Sequence, residues 1–326
     1  MNTILTLTMN PALDMFLEVG RMKPNGKMRS PQPLFMPGGG GINVSRAIRR
    51  LGGESIAMFP AGGSTGHDLA RLLDRESIST NVIRIADVTR ENVNVLERET
   101  GLEYRFIVPG PDVGMDEWKL VLRAIRSLEP APKYVVASGT LPRGVPVDFY
   151  ARLASLALER DFRLVIDTSG EPLTHAATKG TFLLKPNVDE LNGAVRGLIL
   201  SDMAISAAAA ALVESGRSEV VVVSLGSSGA IVADRSGSRR IPAPVVRIAS
   251  RVGAGDSMVA GIVSALSLGW NIDDAVMFGV AAGAAAVMTQ RHQLCRLEDT
   301  EQLYKTVREL CRGDTKESEH VQLAPA

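Results

Sequence analysis

The chain has 326 residues, 45% of them hydrophobic, enough for a large core built as one big α/β domain or two small ones. Lysine plus arginine equals aspartate plus glutamate at 36 each, a balance that excludes a nucleic-acid or membrane-surface footprint. Two cysteines, Cys295 and Cys311, are too few for a disulfide framework and point to a reducing, cytoplasmic setting.

The opening MNTILTLTMN has no basic n-region and no long apolar stretch, so no signal peptide is expected. Thr3–Thr8 reads as the first strand, followed by Ser55–Phe59, Tyr134–Ala137, Arg163–Ile166, Phe182–Leu184 and Val220–Ser224. Between them lie helix-period segments at Ile42–Leu51, Gly66–Glu76, Asp116–Leu128, Val147–Glu159, Asp202–Glu214 and Asp256–Ser267. Strands alternating with helices predict a mostly parallel sheet with helices on both faces. Two further helices, Ile272–Met288 and Leu297–Leu310, have no strand between them and close one flank. The longest apolar run, Ala275–Met288, is too short to span a bilayer comfortably and is expected to be a tightly packed core helix.

Three segments depart from this pattern. Asp14–Val19, Asn92–Glu97 and Glu103–Val108 alternate as strands, the last two joined by a turn around Thr100 and Gly101. They predict a small antiparallel sheet with an apolar face of Val93, Val95, Tyr104 and Phe106 and a polar face of Asn92, Asn94 and Arg105. Such a sheet is too small to stand alone and must cover the main domain, a second subunit, or both. A single domain is expected over 1–312, with lid strands near 14–34 and 88–108 and a polar, disordered tail at 313–326.

GxxxxGK[ST] and GxGxxG are both absent, which removes the common P-loop and dinucleotide routes. Two glycine clusters remain, PGGGGINVSRAIRRLGG from Pro37 and SRVGAGDSMVAG from Ser250. Taken alone, the first reads equally well as a flexible turn before a helix. The second places Gly253, Ala254 and Gly255 before Asp256 at a helix start, where unpaired backbone N–H groups attract anions. An acid beside such a cradle is electrostatically costly unless it has a task, and accepting a proton from an alcohol is one.

These clusters, with TLTMNPALD, FPAGGSTG, ASGTLPRG, IDTSGE, KPNVDE and SLGSSGA in order along the chain, resemble the ribokinase/phosphofructokinase-B sugar kinases, with the B-type bacterial 6-phosphofructokinases the nearest branch. The resemblance implies a ribokinase-like α/β fold with a small β-sheet lid. It makes Asp256 the catalytic base and the Gly253–Ala254–Gly255 backbone the anion hole. On the sugar side it implies Asp14, Gly39 and Asn43, with Ser138 and Thr140 as hydroxyl donors. Arg90, Arg105 and Lys27 become candidates for the phosphate already on the sugar, a task suited to guanidinium forks. For ATP it implies Lys185, Asn187, Ser224, Gly226, Ser228 and Gly229. Glu190 and Asp167 take the neighbourhood of Mg²⁺, although NxxE read alone is also a helix capping box.

Two departures from the family pattern, Arg251 and the stretch MTQRHQ from Met288, speak against potassium activation and for an altered nucleotide affinity. The turn Gly38–Gly41 contains no lysine, whereas relatives acting on fructose 1-phosphate or tagatose 6-phosphate commonly have one there. The implied activity is ATP-dependent phosphorylation of fructose 6-phosphate at O1. The alternatives are a 1-phosphofructokinase, a tagatose-6-phosphate kinase and a sugar-phosphate-binding regulator without catalysis. A homodimer joined through the lid is expected.

Overall fold

Runs without polar alternation, such as Ile4–Leu7 and Tyr134–Ser138, are buried throughout and form the middle of a nine-stranded sheet. The computed structural model describes residues 3–178, 180–195, 197, 201–250, 252–289 and 293–321, with side chains to 312. The chain begins with β1 (Ile4–Leu7), β2 (Ala12–Val19), β3 (Leu34–Gly38), α1 (Gly40–Arg50), β4 (Ile56–Ala61), α2 (Gly63–Arg75) and β5 (Ser79–Arg84). It continues through β6 (Arg90–Glu97), β7 (Glu103–Phe106), α3 (Met115–Arg126), β8 (Tyr134–Ser138), α4 (Phe149–Arg160), β9 (Arg163–Asp167) and α5 (Gly170–Ala176). Next come β10 (Thr181–Leu184), α6 (Val188–Val195), α7 (Asp202–Glu214), β11 (Ser218–Ser224), β12 (Ala230–Asp234) and β13 (Gly237–Ile241). Three helices finish it: α8 (Ala254–Ser267), α9 (Ile272–Met288) and α10 (Leu297–Val321).

The large sheet has the order β13-β12-β11-β10-β9-β8-β1-β4-β5. Every pair from β5 to β11 is parallel, while β12 and β13 extend one edge as antiparallel strands that the sequence pattern did not reveal. Alternate residues of each central strand serve opposite cores. Val136 and Val165 pack under α1, α8 and α9, whereas Val135 and Leu164 pack under α3, α4 and α5. The expected core helix is α9, and its small residues have a steric cause. A Cβ on Gly279 would lie 2.4 Å from Cγ1 of Ile262 on α8, so glycine sets how closely these two helices cross. No helix among the described residues is long and apolar enough to cross a membrane.

A second sheet, β3-β2-β6-β7, stands apart as the lid. Its central pair, β2 and β6, is parallel, which corrects the antiparallel expectation. The reason is topological. They follow the carboxyl ends of two parallel strands of the large sheet, β1 and β5, and β3, α1, β4, α2 and β5 fill the connection between them, so no hairpin joins the two. The predicted faces hold, because Val93 opposes Phe106, Val95 opposes Tyr104, and Asn94 opposes Arg105.

Helix α10 runs on to Val321, where a disordered tail was expected from residue 313. Lysine and glutamate in this stretch favour helix, and it contains no proline before residue 325.

Candidate active site

The strand order places the functional candidates at one edge. Adjacent parallel strands β1, β8, β9 and β10 all end there, and an open α/β sheet binds ligands outside those carboxyl ends. Helices α1 and α8 point their N-termini at the same place.

The glycine cluster before α1 is not a flexible turn. A Cβ on Gly38 would meet a carboxylate oxygen of Asp14 at 2.3 Å, and one on Gly40 would meet Oγ of Ser138 at 2.3 Å. On Gly41 it would meet the carbonyl oxygen of Leu7 at 2.5 Å. The helix start is therefore pressed against the ends of β1 and β8, and Gly39, at φ 117°, makes the bend that allows it. The Ile42 N–H then donates to Thr8 Oγ1 at 2.7 Å, which caps the helix from β1.

This placement carries Asn43 across the crevice. Its Nδ2 donates to Oδ2 of Asp256 at 2.9 Å. Asp256 stands in the first turn of α8, which follows Gly253 in the left-handed region at φ 78°. No side chain caps α8, so its first-turn N–H groups face the crevice as an anion cradle. Asp256 keeps intermediate exposure yet is densely surrounded, and its pKa is pushed up to about 7. Burial is the main cause, the Asp167 carboxylate adds to it, and the Asn43 hydrogen bond and the Lys185 charge oppose it.

Lys185 is the cation of this floor. Its Nζ lies 3.0 Å from Asp167 Oδ1 and 3.7 Å from where a Cβ on Gly255 would project. Burial works to strip its proton, but Asp167, with Glu190 and Asp256 beyond, holds its pKa above the ordinary lysine value. The other oxygen of Asp167 accepts from Ser138 Oγ at 3.3 Å. Ser138 is thus buried beneath Asp167 and braces it, whereas Thr140, two residues on, is exposed at the rim.

The nucleotide candidates also converge. Asn187 forms an isolated bridge with Ser224, and the Ser224 N–H donates to the Pro186 carbonyl at 3.0 Å. Gly226 and Ser228 are exposed in the tight turn that follows, and Gly229 closes it at φ 97°, where a Cβ would strike the Ile241 carbonyl at 2.0 Å. Asn187 and Glu190 form a reciprocal capping box: the Asn187 N–H donates to Glu190 Oε2, and the Glu190 N–H donates to Asn187 Oδ1, each at 2.8 Å. Burial raises the Glu190 pKa despite that bond.

Over this floor stands the lid. Asp14 Oδ1 accepts from Asn92 Nδ2 at 2.8 Å, and burial raises its pKa against Asn92, Arg105 and Arg90. Asp14, Phe16, Leu96 and Arg105 line a cavity of about 570 Å³ that reaches Ala249 and Val252, just before the α8 cradle. Arg105 donates to Asn94 Oδ1 at 3.2 Å from the polar face of the lid. Arg90 sits at the lid root and donates to the backbone carbonyls of Asn10 at 3.0 Å, Pro11 at 3.4 Å and Val108 at 3.2 Å. Lys27 lies in the exposed loop between β2 and β3, and no contact among the described residues joins it to the crevice. Arg251 and residues 290–292 of the 288–293 stretch lie outside the described residues.

The model of the pfkB family carbohydrate kinases matches residues 8–299. The chain belongs to this family. It is 45% identical over 306 residues to an ATP-dependent 6-phosphofructokinase isozyme 2 of Mycobacterium tuberculosis, covering 94% of this chain and 90% of that protein. A 1-phosphofructokinase of Borreliella burgdorferi is 32% identical, covering 94% of this chain and 97% of that one. Among solved structures, phosphofructokinase-2 of Escherichia coli in complex with potassium aligns with a TM-score of 0.91 at 38% identity, over 94% of this chain and 100% of that chain. The pfkB chain is therefore an ATP-dependent sugar-phosphate kinase with the ribokinase-like fold.

One residue at the crevice escaped the sequence reading. Asn10, inside TLTMNPALD, is 7% exposed, and its Nδ2 donates to Thr140 Oγ1 at 3.1 Å while its Oδ1 has no partner. Its position between a strand end and Pro11 was the available signal.

Proposed function

We propose that the chain is a 6-phosphofructokinase that moves the γ-phosphoryl group of MgATP to O1 of fructose 6-phosphate, giving fructose 1,6-bisphosphate and ADP. The observation that carries this reading is the Asn43–Asp256 pair at the mouth of the α8 anion cradle, with the Lys185 ammonium beside it. It joins a proton acceptor, an oriented donor and a cation where an alcohol and a phosphoryl group can meet.

Asp256 takes the proton from the O1 hydroxyl as the new O–P bond forms and the bond to ADP breaks. A carboxyl with a pKa of about 7 is well matched to that exchange near neutral pH. The first-turn N–H groups of α8 and Lys185 stabilise the charge gathering on the transferred oxygens, without reorganising at the moment of reaction. Asp14 and the backbone at Gly39 hold sugar hydroxyls, and Arg90 and Arg105 serve the phosphate already present. Lys185, Asn187, Ser224 and the Gly226–Gly229 turn receive the nucleotide.

Mg²⁺ arrives with ATP. Among the described residues no three His, Cys, Asp or Glu side chains form a metal cage. Such an ion would be held by phosphate oxygens, water and one or two carboxylates, for which Asp167 and Glu190 are the candidates. When bound, it neutralises phosphate charge. Potassium is left out of the proposal because Arg251 departs from the family pattern.

The 45% identity to a 6-phosphofructokinase against 32% to a 1-phosphofructokinase supports fructose 6-phosphate over fructose 1-phosphate. A homodimer through the lid belongs to the same proposal, since Phe106 is 51% exposed on the apolar face of a sheet too small to stand alone. ADP release from MgATP with fructose 6-phosphate, fructose 1-phosphate, tagatose 6-phosphate and unphosphorylated fructose tests the reading. Fructose 6-phosphate is expected to give the highest kcat/KM, and no turnover with any sugar phosphate would leave only the binding regulator.

A further inference from the structure

Two buried side-chain polar atoms among the described residues have no hydrogen-bond partner, Asn10 Oδ1 and Ser264 Oγ. Ser264 lies within α8, whereas Asn10 lies at the crevice, next to the exposed Thr140 hydroxyl. A buried amide atom without a partner is destabilising, and native proteins rarely keep one unless something outside the chain completes it.

The surroundings indicate what that is. Arg90 Nη2 donates to the backbone carbonyl of Asn10 at 3.0 Å, so a guanidinium, a hydroxyl and a carboxamide meet at one place. Arg90 spends one N–H of each of its three nitrogens on carbonyls. Its fork has five, leaving two for an anion. Gly110 covers the other side of the amide, and a Cβ there would come within 2.1 Å of Asn10 Oδ1. The side chain is wedged, but a half-turn about its terminal bond exchanges oxygen and nitrogen without changing its volume. After that turn Thr140 donates its hydroxyl to Oδ1, since a hydroxyl serves equally as donor or acceptor. The Nδ2 group then supplies the unpaired hydrogens beside Arg90.

We infer that Asn10 is a specificity residue that donates from Nδ2 to the phosphate already carried by the sugar substrate, in company with Arg90, while Thr140 holds its amide oxygen. The inference rests on the kinase reading above. An anion is the fitting ligand because the groups left unpaired, Nδ2 of Asn10 and two N–H groups of Arg90, are donors. A neutral sugar hydroxyl would instead use the carboxamide oxygen as an acceptor.

Asn10→Asp separates these cases, since it keeps the shape and the acceptor but replaces the donor with a negative charge. KM for fructose 6-phosphate should rise by about 100-fold or more in Asn10→Asp and by about 10-fold in Asn10→Ala, with KM for MgATP within about 2-fold of wild type. An Asp variant that keeps the wild-type sugar-phosphate KM overturns the inference. If that variant fails to fold, Asn10→Ala decides through the ratio of kcat/KM for fructose 6-phosphate to that for fructose. The ratio falls if Asn10 grips the phosphate, and an unchanged ratio rejects it. Failure of the kinase reading is a separate result, because wild type would then turn over no sugar phosphate at all.

Discussion

Asn43 and Asp256 are 213 residues apart in sequence, and a 2.9 Å hydrogen bond from Nδ2 to Oδ2 ties the first turn of α1 to the first turn of α8. The bond fixes one carboxylate oxygen, and the proposed mechanism gives the other to a substrate hydroxyl. Asp256→Asn keeps the size of the side chain but cannot accept the proton. Turnover should fall by about 10²–10⁴-fold, while fructose 6-phosphate binding, measured by calorimetry, stays within a few-fold. A variant with near-wild-type kcat would remove Asp256 from the mechanism.

The raised pKa of Asp256 has a consequence for stability with a definite sign. Its folded value is about 7 against an ordinary 3.8, so between those values the unfolded chain has released a proton that the folded chain still holds. Wild type therefore loses stability as pH rises from about 4 to about 7, and the loss is complete above that. Asn at this position escapes the loss. The Tm advantage of Asp256→Asn should grow across that window and then level off. A difference in Tm that does not change with pH would contradict the burial of this carboxyl.

Removing the cation between the acids should act on the same group in the opposite direction from Asn43. Lys185→Met leaves Asp167 and Asp256 facing each other without the ammonium that now lies 3.0 Å from Asp167. The acidic limb of the kcat/KM profile, set by Asp256, should move to higher pH, and kcat should fall by more than tenfold at its optimum. An unmoved limb would mean that another group sets it.

Much of this site was legible in the sequence, and the reasons are particular. The buried runs of β1, β8, β9, β10 and β11 are short and apolar, and glycine-bearing turns follow several of them, so the parallel sheet and its loaded edge could be read directly. Antiparallel β12 and β13 were missed because β13, with Arg239 and Arg240, reads as a charged loop. Those charges pair with Asp273, Asp234 and Asp202, contacts made only after the chain folds. The glycines of Gly38–Gly41 looked permissive and prove to be obligatory, since each is pressed by a neighbour distant in sequence. Asn10 carried only a positional signal, a strand end before Pro11, for a related reason. Nothing local distinguishes a buried amide that has its full set of partners from one that lacks them.

The apolar face of the lid gives a prediction about assembly. Val95 is only 7% exposed within one chain, so replacing it would damage the lid itself. Leu102 and Phe106, at 55% and 51% exposure, are better probes of a second subunit. Leu102→Asp combined with Phe106→Asp should yield monomers in sedimentation at micromolar concentration, with a raised KM for fructose 6-phosphate and unchanged helix content. A monomeric wild type, or a dimeric double variant, would dismiss the lid as the interface.

Transfer itself is the most direct test of the account. ATP labelled in its γ-phosphoryl group, incubated with Mg²⁺, fructose 6-phosphate and the purified chain, should place the label in the 1-phosphate of fructose 1,6-bisphosphate. The Asp256→Asn chain, although it binds the sugar phosphate, should place at most about a hundredth as much in the same time. Label that stays on ATP with wild type, or that reaches the bisphosphate equally fast with the variant, would contradict the assignment of this crevice as a phosphoryl-transfer site with Asp256 as its base.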